Sequence, residues 1–151
     1  MPEVVEFQGE VHICRSDQIE DNYSAISYWL TKQPESYEPF YSREGLINAM
    51  LEGRFIPMLF STKGENVGMI LCSIHEYNPG FKTLKIDCLF FENFFSVARF
   101  FLTIEELAKR MEVDYIEGVL HPAIAKYVVG KKGARASGVY VNKPVYYGGL
   151  H

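Results

Sequence analysis

The residues able to do chemistry fall mostly in the second half of this chain. Asp87 lies inside the apolar run Leu84–Phe91. A charge there is costly unless it is paired or turned to the outward face of an alternating strand. Glu92 stands at the end of the same run, on the approach to a helix. His121 precedes Pro122 at a strand-to-helix turn. Tyr127 falls on a short amphipathic helix, where a tyrosine can pack its ring and keep its hydroxyl at the surface. Lys126, Lys131, Lys132, Arg135 and Lys143 make residues 121–151 an acid-free stretch of balance +5. Such a stretch could meet a phosphate or an acidic protein surface, or be a plain solvated face. The thiols and imidazoles show less. Cys14, Cys72 and Cys88 lack short C-x-x-C spacing, and His12, His75 and His151 lack ligand spacing, so no metal site is expected. His75 and Glu76, next to a turn, read as a solvated strand end.

Composition bounds the rest. The 151 residues carry a net charge of -4, with residues 1–44 at -6 and 45–120 at -3. Net negative charge argues against a nucleic-acid partner. Hydrophobic residues at 48% and charged residues at 23% exclude a disordered chain. The length suits a single domain over 1–151 with one core. No run approaches the roughly 20 apolar residues of a membrane span. The acidic start has no basic leader, so a cytoplasmic location is expected. Three cysteines read as free, buried thiols, although Cys72 and Cys88 could meet across neighbouring strands.

The elements that must position these residues follow from periodicity and punctuation. Residues 4–14 alternate as a strand. Ser16 or Asp17 could cap a helix with Ile19, Tyr23, Ile26, Trp29 and Leu30 on one face. Residues 33–41, with two prolines and three aromatic rings, predict a loop. Ser42 can cap a second helix through Leu46, Ile47, Met50 and Leu51, closed by Gly53. Residues 55–60 predict a strand, which Pro57 marks as an edge or a bulge. Turns at 63–66 and 78–80 separate it from strands 67–77 and 81–91, so the three form an antiparallel meander. Ser96–Met111 predicts a helix whose inner stripe runs through Val97, Phe100 or Phe101, Ile104, Leu107, Ala108 and Met111. Its outer side pairs Glu105 with Lys109 and Glu106 with Arg110. Residues 114–120 predict a strand parallel to 81–91, because a helix of that length makes a crossover. A short helix from Pro122 and a last strand over 137–147 complete the order.

That order, with Val67-Gly68-Met69-Ile70 as third strand, Leu84–Phe91 as fourth, Ser96–Met111 as third helix and Lys132-Gly133-Ala134 near the end, resembles the GNAT family of N-acetyltransferases. The resemblance covers nearly the whole chain, mainly as architecture. It implies a three-layer α/β domain with a mixed, mostly antiparallel, bent sheet of six or seven strands and helices on both faces. It further implies an acyl-CoA-dependent N-acyltransferase using acetyl-CoA, with a small-molecule or protein amine as acceptor. Glu92 would be the base and Tyr127 the acid for the leaving thiolate. The amides of Ser96, Val97 and Ala98 with the Arg99 side chain would hold the pyrophosphate. His121 would contact the pantetheine arm, and Lys131 and Lys132 the 3'-phosphate.

The chain departs from the family at the loop before the third helix. Members carry glycines there so that bare backbone amides can approach anionic oxygens. Residues 91–99 hold no glycine, and Phe94 and Phe95 sit in the crowded place. This departure implies an alternative: a non-catalytic protein on the same fold, with the cleft filled and a protein partner or second copy bound. Short chains of this outline also resemble acyltransferase-like proteins of tailed bacteriophages, which would place such a protein in the host cytoplasm or the virion.

Overall fold

A computed structural model describes residues 9–32, 42–91, 103–118 and 126. The chain divides into two compact units, Met1–Gly118 and Val119–His151. Of the second, only Lys126, exposed, is among the described residues.

In the first unit, β1 (Glu10–Ile13) leads through a 3-10 turn, Ser16–Gln18, into α1 (Tyr23–Leu30) and α2 (Arg43–Leu51). Then come β2 (Ile56–Thr62), β3 (Glu65–Asn78) and β4 (Phe81–Phe91). Helical residues 103–110, here α3, precede β5 (Tyr115–Gly118). The five strands form one sheet in the order β1-β2-β3-β4-β5. Its first three pairs are antiparallel and β4–β5 is parallel. The expected meander and crossover are both present. This is a mixed, mostly antiparallel sheet flanked by helices, in the three-layer GNAT-like arrangement.

The two hairpins are built by their turn residues. Lys63 and Gly64 both have positive φ, at 52° and 79°, which gives a two-residue turn whose twist matches the strands. Pro79 and Gly80 join β3 to β4, with Gly80 at φ 81° and its amide held by the Glu76 carboxylate at 2.7 Å. Ser42 caps α2 as expected, its Oγ accepting from the Gly45 amide at 3.0 Å. Gly53, at φ 76°, follows the helix end.

Four expectations need correction. Pro57 is not on an edge strand, since β2 lies between β1 and β3. Its carbonyl accepts from the Cys14 amide, just past the end of β1. N and C=O of one residue face the same neighbour in an antiparallel ladder. The bond that proline cannot return would go to the Cys14 carbonyl, and the ladder to β1 ends at Ile13–Met58. The first helix does not start at Ser16 or Asp17. A separate 3-10 turn forms there, with the Arg15 amide bound to Gln18 Oε1, and α1 begins at Tyr23. Tyr23 and Leu51 are exposed, and Ala49 takes the inner place. On α3 the described ion pair is Glu106–Lys109 at 3.1 Å, one residue closer than the expected pairs.

One face of the sheet carries the main core. Leu59 of β2, Met69 and Leu71 of β3, and Cys88 and Phe90 of β4 join Ile26, Trp29 and Leu30 of α1 and Leu46 and Met50 of α2 in a single buried cluster. Met58, Phe60, Ile70, Cys72, Leu84 and Ile86 are buried outside that cluster, as are Ile104, Leu107 and Ala108 of α3. All three cysteines are buried and free.

Candidate functional site

A β-bulge builds the site. Leu71 of β3 pairs with Cys88, but the next residue, Cys72, pairs with Ile86. Asp87 is thus the extra residue of β4, and a bulge of this kind re-aims side chains. The even-numbered residues Leu84, Ile86, Cys88 and Phe90 look like one alternating face, and all four are buried. The bulge splits them. Cys88 and Phe90 join the α1–α2 core with their ladder partners Leu71 and Met69, while Ile86 and Leu84 do not.

The bulge brings Asp87 to Ser73. The Ser73 hydroxyl donates to Asp87 Oδ2 at 2.7 Å, and its oxygen lies 2.9 Å from His75 Nε2. Ser73 is only 5% exposed. His75 and Asp87 are half-buried. The imidazole stacks on the Tyr77 ring, with centroids 5.8 Å apart and planes within 9°. The Tyr77 hydroxyl reaches across β4 and donates to Glu117 of β5. Ser73, His75 and Tyr77 follow one another at every second position of β3, as residues sharing a strand face do. Lys85 lies opposite Ser73 on one side and Glu117 on the other. The same sheet face that is apolar at Met69 and Leu71 becomes a polar row three strands wide.

Electrostatics follow from this placement. Burial pushes the Asp87 carboxyl above its ordinary range, and Glu117 adds to the push. The Ser73 hydrogen bond and the charges of Lys85 and His75 act the other way without cancelling it. The hydrogen bond to Glu117 raises the Tyr77 phenol. Burial raises Cys72 and Cys88 to about 12, with Asp87 contributing, and Cys14 to about 11. Such thiols stay protonated and unreactive near neutral pH.

Asp87 also marks the end of described pairing to β5. The parallel ladder runs from Thr83↔Tyr115 to Ile86↔Gly118, and Asp87 is the next residue of β4. The start of that ladder is clamped by Asp114, whose amide donates to the Lys82 carbonyl at 2.8 Å and whose carboxylate accepts from the Lys82 amide at 2.9 Å.

Glu92, Ser96, Val97, Ala98, Arg99, His121, Tyr127, Lys131 and Lys132 lie outside the described residues. Of the side chains weighed from sequence, Asp87 and His75 are the two brought together. His75 is not a solvated strand end but a bonded, stacked member of the row. Ser73, Tyr77 and Glu117 carried no signal beyond alternation along a strand. Among the described residues no group of His, Cys, Asp and Glu is placed to hold a metal. No described helix is long and apolar enough to cross a membrane.

No protein-family model matches the chain, and no curated protein sequence does. Solved structures do. An aminoglycoside acetyltransferase, HMB0005, from an uncultured soil metagenomic sample superposes with a TM-score of 0.61 at 18% identity, over 93% of this chain and 100% of the other. The fold is that of GNAT-like acetyltransferases. Ribosomal-protein-alanine N-acetyltransferase from Brucella melitensis biovar Abortus 2308 gives a TM-score of 0.56 at 7% identity, covering 93% and 100%. A transcriptional regulator from Bacillus halodurans C-125 gives 0.60 at 13%, covering 91% and 100%. At these identities the likeness is one of GNAT-like architecture, which hosts different functions.

Proposed function

We propose that the chain is an acyl-CoA-dependent N-acyltransferase acting on an amine. The observation that carries this reading is Asp87: a half-buried carboxyl of raised proton affinity, on a bulge, one residue past the last described β4–β5 pair of an acetyltransferase-like fold. Acyl transfer to an amine needs the nitrogen lone pair free to attack the thioester carbonyl carbon, and so a base to take the ammonium proton. A base works best when its own pKa is drawn towards the working pH. Burial moves Asp87 in that direction. The C–N bond forms, the C–S bond breaks, and the departing CoA thiolate takes up a proton. Under this reading Asp87 joins Glu92 as a candidate base. Tyr127 stays the candidate acid, and Ser96–Arg99, His121, Lys131 and Lys132 the candidate contacts to CoA. The acidic Glu117 and the exposed rings of Tyr77 and Tyr115 nearby suit a cationic acceptor.

A second reading is favoured by one observation, the absence of glycine from residues 91–99. On this reading the fold would serve a protein partner or a second copy instead.

Calorimetric titration with acetyl-CoA separates the two. Binding that also raises the melting temperature supports the transferase. No heat at millimolar acetyl-CoA rejects it. Given turnover, Asp87→Asn should lower kcat by roughly 100-fold or more. A fall of that size in Glu92→Gln alone would move the base to Glu92.

A further inference from the structure

Asp87 and His75 are both half-buried, and the buried Ser73 lies between them. Asp87 Oδ2 is bonded to the Ser73 hydroxyl, and the Ser73 oxygen is bonded to His75 Nε2. A serine hydroxyl has one proton and two lone pairs, so it can donate to only one of these neighbours at a time. When Asp87 is ionised it can only accept. Ser73 then donates to it, and His75 Nε2 must carry the hydrogen of the second contact. When Asp87 is protonated at Oδ2 the direction reverses: Asp87 donates to Ser73, and Ser73 donates to the bare Nε2. The chain thus has two states that differ by the passage of one proton. Ser73 is buried while the His75 ring is partly open to solvent.

We infer that Asp87, Ser73 and His75 form a proton exit, in which Ser73 relays the acceptor's proton from Asp87 to His75 and His75 passes it to water. The inference rests on the acyltransferase reading above. The proton balance is simple. The ammonium loses a proton to the Asp87 carboxylate. With Asp87 protonated, exchange with water (uptake at Nδ1, loss from Nε2) brings the imidazole to its Nδ1–H tautomer. The Asp87 O–H bond then breaks as a Ser73 O–H forms, the original Ser73 proton moves to the bare Nε2, and the resulting imidazolium releases its Nδ1 proton to solvent. Asp87 is left ionised for the next turnover. The charged groups facing Asp87 are His75 of β3, Lys85 of β4 and Glu117 of β5. Lys85 and Glu117 have opposite effects on its proton affinity. Stacking on Tyr77 holds the imidazole in the plane that keeps Nε2 at Ser73. Ser73 and His75 are relay and positioning residues, and Asp87 is the group that meets the acceptor.

The test follows His75 by nitrogen NMR and Asp87 by carboxyl-carbon NMR through a pH titration. It then measures acetyl transfer from acetyl-CoA to a set of trial amines: spermidine, kanamycin and a lysine peptide. In the wild type each resonance should report the titration of the other group. Ser73→Ala should abolish that cross-report and lower kcat by roughly 10- to 100-fold, with KM for acetyl-CoA unchanged. Ser73→Thr, which keeps the hydroxyl, should retain both. His75→Gln should lower kcat to about the Ser73→Ala level, with KM for acetyl-CoA unchanged. Transfer indifferent to both Ser73→Ala and His75→Gln overturns the relay and leaves the transferase reading standing. No transfer by the wild type to any trial amine, with no acetyl-CoA binding, overturns that reading and the relay with it.

Discussion

Phe91 lies over Gly68. The two are ladder partners at the start of β3 and the end of β4. A Cβ added to Gly68 would stand 2.1 Å from the Phe91 ring and 3.3 Å from the Phe90 carbonyl. The ring also meets Phe60 edge-on, with centroids 6.0 Å apart. Glycine is required here for space rather than for an unusual φ. The ring repays the bare backbone by covering it, an arrangement known from designed sheets.

Gly68→Ala should therefore destabilise the fold by about 1–3 kcal/mol through overpacking. The cost should shrink markedly in a Phe91→Ala background, because the pair is coupled. Urea unfolding of the four proteins of this cycle measures it. Equal costs in both backgrounds would show that the ring is not what excludes the Cβ.

The thiols give a chemical check on the core. Cys14, Cys72 and Cys88 are buried, with pKa values pushed to about 11, 12 and 12. Iodoacetamide at pH 7.5 should leave the native protein unlabelled and modify all three after denaturation in guanidinium. Fast labelling of any one in the native protein would contradict its burial.

Asp87 should make stability depend on pH in a definite direction. Its folded pKa lies above its unfolded one. The folded state thus holds the proton more tightly, and the group's contribution is fully present below the unfolded pKa and lost as pH rises through the folded pKa. Asp87→Asn removes the cost of the buried charge and keeps an acceptor for the Ser73 hydroxyl. The variant should melt higher than the wild type at pH 7–8, and the difference should close as pH falls below the ordinary carboxylate range. Thermal unfolding across pH decides. A difference that grows on acidification would reverse the assigned shift.

Asp114 should matter to the β4–β5 junction more than its exposure suggests. Its backbone and side chain both bond to Lys82. Asp114→Ala keeps the backbone bond and removes the carboxylate, at a cost of about 1 kcal/mol. Hydrogen exchange at the Lys82 amide should quicken. Unchanged exchange there would show that the clamp does not hold.

Among the described residues, the sequence by itself determined most of the elements and the strand partners. Lys63-Gly64 and Pro79-Gly80 specify tight turns because Gly64 and Gly80 take positive φ at little cost. Short turns leave β2, β3 and β4 no option but antiparallel neighbours. The long helical pattern before residues 114–120 separates β4 from β5 by a crossover, which makes that pair parallel. Ser42 and Gly53 bounded α2 because cap chemistry is local.

What only the tertiary structure decided depends on contacts far apart in the chain. Alternation along Leu84–Phe91 carries no mark of a bulge, because an extra residue is defined by the partner strand and not by the strand itself. A one-residue shift exchanges the faces. It sends Ile86 and Cys88 to opposite sides and turns Asp87 towards Ser73, 14 residues away. Pro57 read as an edge or a bulge because proline lacks a donor, yet β1 pairs with β2 as far as Met58 and bonds the Pro57 carbonyl, so the loss falls where that ladder ends. The polar row of Ser73, His75, Tyr77, Asp87 and Glu117 became visible only when three strands were laid side by side.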